Sequence, residues 1–188
     1  NINSGGISTD AAIYTDSKEF SKYTVMYEVK GKVLYEKLPF VLEMMYEIIY
    51  ETKFEDEKRL REIIARIKSR MESNMTGSGH TVAMLSAMAQ FSPSSYYSDI
   101  LRGYQYYEFI EKADRAFDSM KEMLAENLKR TAALIFTKEN LTVSFTAEYD
   151  GLELLQKTMT EFVAKLAQLQ ENDAVRTFRP VTEKTAYT

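Results

Sequence analysis

The 188 residues carry a net charge of −4, with 45% hydrophobic and 28% charged positions, the proportions of one globular domain able to bury a sizeable core. These values argue against global disorder, and the acidic balance argues against nucleic acid as a partner, which would ask for a basic face. With no cysteine and one histidine, His80, the chain has no zinc site of the Cys/His kind, no Cys nucleophile, and no Ser-His-Asp set that bypasses His80.

Residues 7–15 alternate loosely, with Ile7, Ala11 and Ile13 on one side. Tyr23, Val25, Tyr27 and Val29 then alternate with Thr24, Met26, Glu28 and Lys30, a period of two that predicts a half-buried strand. Asp16-Ser17-Lys18 reads as the turn that joins these segments into an antiparallel pair. From Tyr35 the period changes. Leu38, Val41, Leu42, Met45, Ile48 and Ile49 recur at three- and four-residue spacing, which marks an amphipathic helix with Pro39 in its first turn.

A second helix is expected from about Glu55 to Met75, with Leu60, Ile63, Ile64, Ile67 and Met71 on one face. Gly77-Ser78-Gly79 ends or kinks it, and Val82 to Phe91, apolar on nearly all sides, predicts a buried helix. Ser92-Pro93-Ser94-Ser95 reads as a turn, followed by an aromatic helix from Tyr96 to Glu111. A longer helix from Asp114 to about Phe136 uses Phe117, Met120, Met123, Leu124, Leu128 and Leu134. Leu141, Val143 and Phe145 alternate with polar residues and predict a strand. Asp150-Gly151 then turns into a last helix, Leu152 to Gln170, with Leu155, Met159, Phe162, Leu166 and Leu169 inward.

The layout is α+β: a small antiparallel sheet of three strands with a layer of several helices. Residues 1–170 read as a single domain and the unpatterned segment 171–188 as a polar connector.

Few side chains suggest chemistry. His80, between a glycine and an apolar run, suits proton transfer near a substrate, but it fits better as a partly buried brace of the helix break, hydrogen-bonded to a neighbour. Ser4-Gly5-Gly6 and Gly77-Ser78-Gly79 lack the spacing of phosphate loops and read as turns needing positive φ. Tyr96, Tyr97, Tyr104, Tyr106, Tyr107 and Phe109 would serve as a stacking platform, or, as favoured, as core plus an interdomain face. The charge run Phe54–Arg70 reads as a solvated helix face with pairs such as Glu57–Arg61 and Glu62–Arg66. Asn74 and Asn140 head glycosylation sequons of the kind that arise by chance. No carboxylate pair is marked out, so the expected catalytic and metal-binding residues are none, and binding residues are undefined.

The order of certain segments carries a resemblance. These are Ser4-Gly5-Gly6-Ile7-Ser8, the charged run Lys53 to Leu60, Ser78-Gly79-His80-Thr81-Val82-Ala83, Phe91-Ser92, Gly103 to Ile110, and Phe136 to Val143. Over residues 3–170 the chain resembles the third, non-catalytic α/β domain of the presequence-protease branch of the pitrilysin/insulinase zinc metallopeptidases. The resemblance implies a parent of four similar domains whose halves close like a clamshell around a peptide chamber. It implies zinc as cofactor of the parent, held in the first domain by an inverted H-x-x-E-H motif that is missing here. A substrate-stabilising Arg and Tyr in the fourth domain are likewise without counterpart, since Tyr187 sits in a different context.

The leading expectation is therefore a non-catalytic, chamber-forming domain of a zinc peptidase that degrades unfolded peptides. Its partners would be the parent's other domains and a peptide substrate. The alternatives are a free-standing protein–protein interaction module with a Tyr-rich face, or an enzyme using carboxylates and His80. No apolar run reaches the roughly 18–20 residues that span a bilayer, so no membrane partner is expected. The first ten residues have neither the basic nor the apolar region of a secretory signal, and the cysteine-free composition fits a cytoplasmic location.

Overall fold

The computed structural model describes residues 6–19, 22–148 and 151–166. It is an α+β fold, with a two-stranded antiparallel sheet of β1 (Ile7–Thr15) and β2 (Tyr23–Gly31) followed by helices. The helices are α1 (Leu38–Tyr50), α2 (Glu57–Ala89), α3 (Pro93–Arg102), α4 (Tyr104–Arg115), α5 (Phe117–Ile135) and α6 (Gly151–Leu166).

The hairpin forms where the period of two required it. At its turn the Asp16 carboxylate accepts the backbone N–H of Lys18 (2.7 Å) and of Glu19 (3.0 Å), while Asp16 N donates to Lys22 O (2.9 Å). Those bonds to the charged form hold the Asp16 carboxyl below the usual range, the bond from Lys18 being the larger cause. At the open end Gly6, with φ of 105°, takes the left-handed conformation expected of it; Ser4 and Gly5 lie outside the described residues.

The described residues fall into two compact units. One contains 11–19, 22–26 and 54–125. Its longest element, α2, starts at Asp56, whose carboxylate accepts Arg59 N at 2.9 Å and so satisfies one of the free amides of the first turn. Ile64 of α2, Ile110 and Ala113 of α4, and Phe117 and Leu124 of α5 form the core, with Leu60, Ile67, Tyr106 and Met120 packed around it. Burying a side chain such as Ile64, Ile110 or Phe117 contributes on the order of 1.5–3 kcal/mol.

The charge run along α2 differs from expectation. The Glu57–Arg61 and Glu62–Arg66 pairs are replaced by bonds that reach other helices. Glu57 pairs with Lys121 (2.7 Å), Lys68 with Asp114 (2.8 Å), and Arg61 lies 3.6 Å from Asp118 and 5.2 Å from the centre of the Phe117 ring. Arg59–Glu62 is the pair within the helix. An intrahelical spacing shows only which charges are neighbours on one helix; the packing of α4 and α5 brings nearer partners.

The expected aromatic helix from Tyr96 to Glu111 is instead two helices. Ser92 caps α3, accepting Ser95 N, with Pro93 in the first turn rather than in a loop. Gly103, extended at φ −100° and ψ −151°, ends α3 and begins α4.

The second unit contains 6–10, 27–53, 126–148 and 151–166. Leu38 and Val41 of α1 are its buried aliphatics, and α1 packs so closely on the hairpin that a Cβ at Gly31 would lie 2.8 Å from both Val41 and Met45 side chains. Tyr27 and Tyr50 meet Phe136 edge-on, and the Tyr50 hydroxyl donates to Phe136 O (3.2 Å). The Asn140 amide donates to Leu134 O and Ile135 O, both at 3.1 Å, and closes the end of α5, so this sequon asparagine has a structural duty. Phe162 and Thr158 of α6 are buried, whereas Leu169 lies outside the described residues.

The strand expected at 141–146 is not formed. Leu141, Val143 and Phe145 are exposed and the segment carries no ladder, so among the described residues two strands stand where three were expected. A period of two fixes how side chains alternate; a strand also needs a neighbour to accept its backbone hydrogen bonds.

Candidate functional site

Within the first unit, the features that position side chains around a concavity gather where α2 bends. The bend is at Ser78, whose φ of −141° and ψ of 36° interrupt an otherwise helical run. Gly77 and Gly79 flank it, but neither has positive φ and a Cβ on either would meet nothing within 4 Å. The turn expected there is therefore a kink carried by serine.

Around the kink, Met75, Gly79, Val82, Ala83, Ser86 and Tyr104 line a shallow groove of about 330 Å³. The groove is apolar and carries no charged side chain. Two of the lining residues, Ser86 and Tyr104, are held by Asp99, which is 1% exposed. Asp99 Oδ1 accepts from Ser86 Oγ (3.1 Å) on α2 and from Tyr104 N (2.8 Å) at the start of α4, while Oδ2 accepts Gln105 Nε2 (2.9 Å). One carboxylate on α3 thus ties three helices together and caps the positive end of α4. With both oxygens engaged by donors, Asp99 is a positioning group rather than a free base.

His80 is solvent-exposed, contrary to the expected partly buried brace, and its ring makes no hydrogen bond among the described residues. The kink needs no brace from it because the helix resumes at once on the C-terminal side. No group of three or more His, Cys, Asp or Glu able to hold a metal exists among the described residues. With one imidazole and no thiolate, the chain lacks the usual Cys/His donors of a zinc site.

Residues 1–112, which include the hairpin, the kinked helix, the groove and Asp99, match the family described as peptidase M-16C associated. The chain belongs to that family. It is 28% identical over 168 residues to protein HypA of Clostridium perfringens, which covers 88% of this chain and 17% of that protein. It is 23% identical over 140 residues to presequence protease 1, chloroplastic/mitochondrial, of Arabidopsis thaliana, covering 74% of this chain and 13% of the relative. With the mitochondrial presequence protease of Candida albicans the identity is 29% over 129 residues, 66% of this chain and 12% of the relative. The chain therefore spans less than a fifth of the length of these relatives.

In this peptidase-associated domain the aromatic cluster is split between packing and surface. Tyr106 packs on the core, Tyr96 and Tyr97 stack edge-on, and Tyr104 and Tyr107 are tilted neighbours at 6.3 Å. Tyr104 and Phe109 are exposed. Desolvation pushes the hydroxyls of Tyr106 and Tyr107 up from their ordinary values, and for Tyr107 the charges of Glu111 and Glu72 add to it. The Tyr107 hydroxyl donates to Glu72 Oε1 at 3.5 Å.

Sequence reasoning missed Asp99. Its signal was available: it is the first charged residue after 26 without Asp, Glu, Lys or Arg, from Ser73 to Ser98, and a glycine follows four positions later. An isolated acid in an apolar stretch is buried only where donors await it.

Proposed function

We propose that this chain is a non-catalytic, chamber-forming domain of a larger zinc-dependent peptidase that degrades unfolded peptides. The observation that carries the reading is the family match over residues 1–112, together with alignment to short slices of presequence proteases. The domain acts by enclosing a peptide alongside the parent's other domains, which hold the zinc. The uncharged groove beside Ser78 suits apolar contact with a chain whose cleavage happens elsewhere. Relatives five or more times longer than the aligned slice favour this reading over a free-standing interaction module. A cytoplasmic location belongs to the same reading, and rests on the cysteine-free composition alone. No helix among the described residues is long and apolar enough to cross a membrane.

The test has two parts. The reading frame that encodes this chain is expected to hold an H-x-x-E-H motif several hundred residues upstream, and a stop codon soon after Thr188 would count heavily against the proposal. The 188-residue chain, dialysed and assayed with quenched-fluorescent peptides, is expected to hold no stoichiometric zinc and to release no product. Zinc with turnover would overturn it.

A further inference from the structure

The uncharged stretch Ser73–Ser98 has a second side. Along the distal half of α2, Met84 and Met88 follow at i and i+4 and so project from one face, and Phe91 follows in the turn two residues past the helix end. Val82, Ala83 and Ser86 point the other way, into the groove. Met84 is 58% exposed, Met88 47% and Phe91 86%. The proximal half of the same helix is built differently, with nine charged residues among the sixteen from Glu57 to Glu72. A helix that keeps water-facing charge on one half and presents thioethers on the other, with an exposed phenyl ring in the turn that follows, has a surface made to be covered.

We propose that the Met84–Met88–Phe91 face is a docking seat for an apolar segment of the same polypeptide lying outside residues 1–188. This rests on the reading of the chain as one domain of a longer peptidase. The aligned relatives continue for more than four fifths of their length beyond the shared slice, which supplies the covering chain. The chemistry of the face selects among occupants. Its backbone amides and carbonyls are spent within the helix, so an extended peptide finds no edge to pair with. It has no lysine or arginine, so it lacks the basic border of a helix that lies on a lipid surface. What remains is side-chain packing against an uncharged, preformed surface, and flexible methionines are suited to fill the gaps of such a contact.

The test places p-benzoylphenylalanine at position 91 of the full-length parent and reads photo-adducts by mass spectrometry. An adduct within one polypeptide, to a segment outside residues 1–188, is expected. An adduct to a second copy, to added peptide substrate, or to residues 1–188 themselves would overturn the proposal, as would no adduct at all. A second readout uses Met88→Glu in two contexts. The melting temperature of the parent is expected to fall by several degrees, while that of the 188-residue chain stays within about 1 °C, as for an ordinary surface change. Equal shifts in both contexts, or no shift in the parent, refute the docking seat. A parent that is an active zinc peptidase but gives these refuting results sinks only this inference; a parent without peptidase activity sinks the functional reading instead.

Discussion

Replacing Gly103 by alanine is expected to be among the most costly single-methyl additions in this chain. The backbone at Gly103 is extended and open to any residue, so conformational strain contributes little. The cost is steric. An added Cβ would collide with Asp99 Oδ1 and lie 2.8 Å from Asp99 Cα and 3.0 Å from its Cγ. The Cα belongs to α3 and cannot yield without bending the helix, so the carboxylate must swing away. Doing so breaks its bonds with Ser86, Tyr104 N and Gln105 in a site only 1% exposed.

Overpacking costs about 1–3 kcal/mol, and each lost bond to a charged group about 1.5–3 kcal/mol. Partial relaxation leaves a net loss of about 3–4 kcal/mol, or a fall of roughly 6–16 °C in melting temperature for a domain of this size. Thermal unfolding followed by circular dichroism measures it. The double variant Gly103→Ala with Asp99→Ala is expected to lose less than the sum of the two single changes, because removing the carboxylate makes room for the methyl. A Gly103→Ala chain within about 0.5 kcal/mol of the unaltered chain, or strict additivity in the double variant, would refute the steric account.

Other substitutions probe the kink, the helix cap and the ion pairs. Gly77→Ala and Gly79→Ala, with open space at both Cβ positions and ordinary φ, are expected to raise stability by about 0.4–1 kcal/mol each; a loss in urea titration would mean the kink depends on glycine after all. Asp56→Ala removes the cap on Arg59 N and is expected to cost about 1 kcal/mol, with Asp56→Asn retaining most of it; equal losses for both variants would point to charge rather than the hydrogen bond. The hydrogen bond to Asp114, opposed by burial, raises the pKa of Lys68 above 10.5. A folded-state pKa above the unfolded one means that this contribution is complete below about pH 10.5 and is lost as pH rises through the raised value. Asp114→Asn should therefore flatten the alkaline decline of stability, and an unchanged profile would remove Lys68 from that role.

The sequence alone determined the local elements. Alternation from Tyr23 to Val29 demanded a strand, the Asp16 turn closed the hairpin, and the three- and four-residue spacing from Leu38 to Ile49 made α1. The ordered segments from Ser4 to Val143 pointed to the peptidase family that the match over residues 1–112 bears out. These signals are legible because each depends on neighbours within a few positions.

Tertiary structure decided what distant residues do to one another. It took Glu57 and Lys68 to α5 and α4 rather than to helix neighbours, and it left His80 in water and 141–146 without a strand partner. It split the aromatic helix at Gly103 around a carboxylate that helical periodicity does not mark. Charge pairing, burial and strand formation each need a partner from elsewhere in the chain, and periodicity reports which face a residue occupies, never what packs against it.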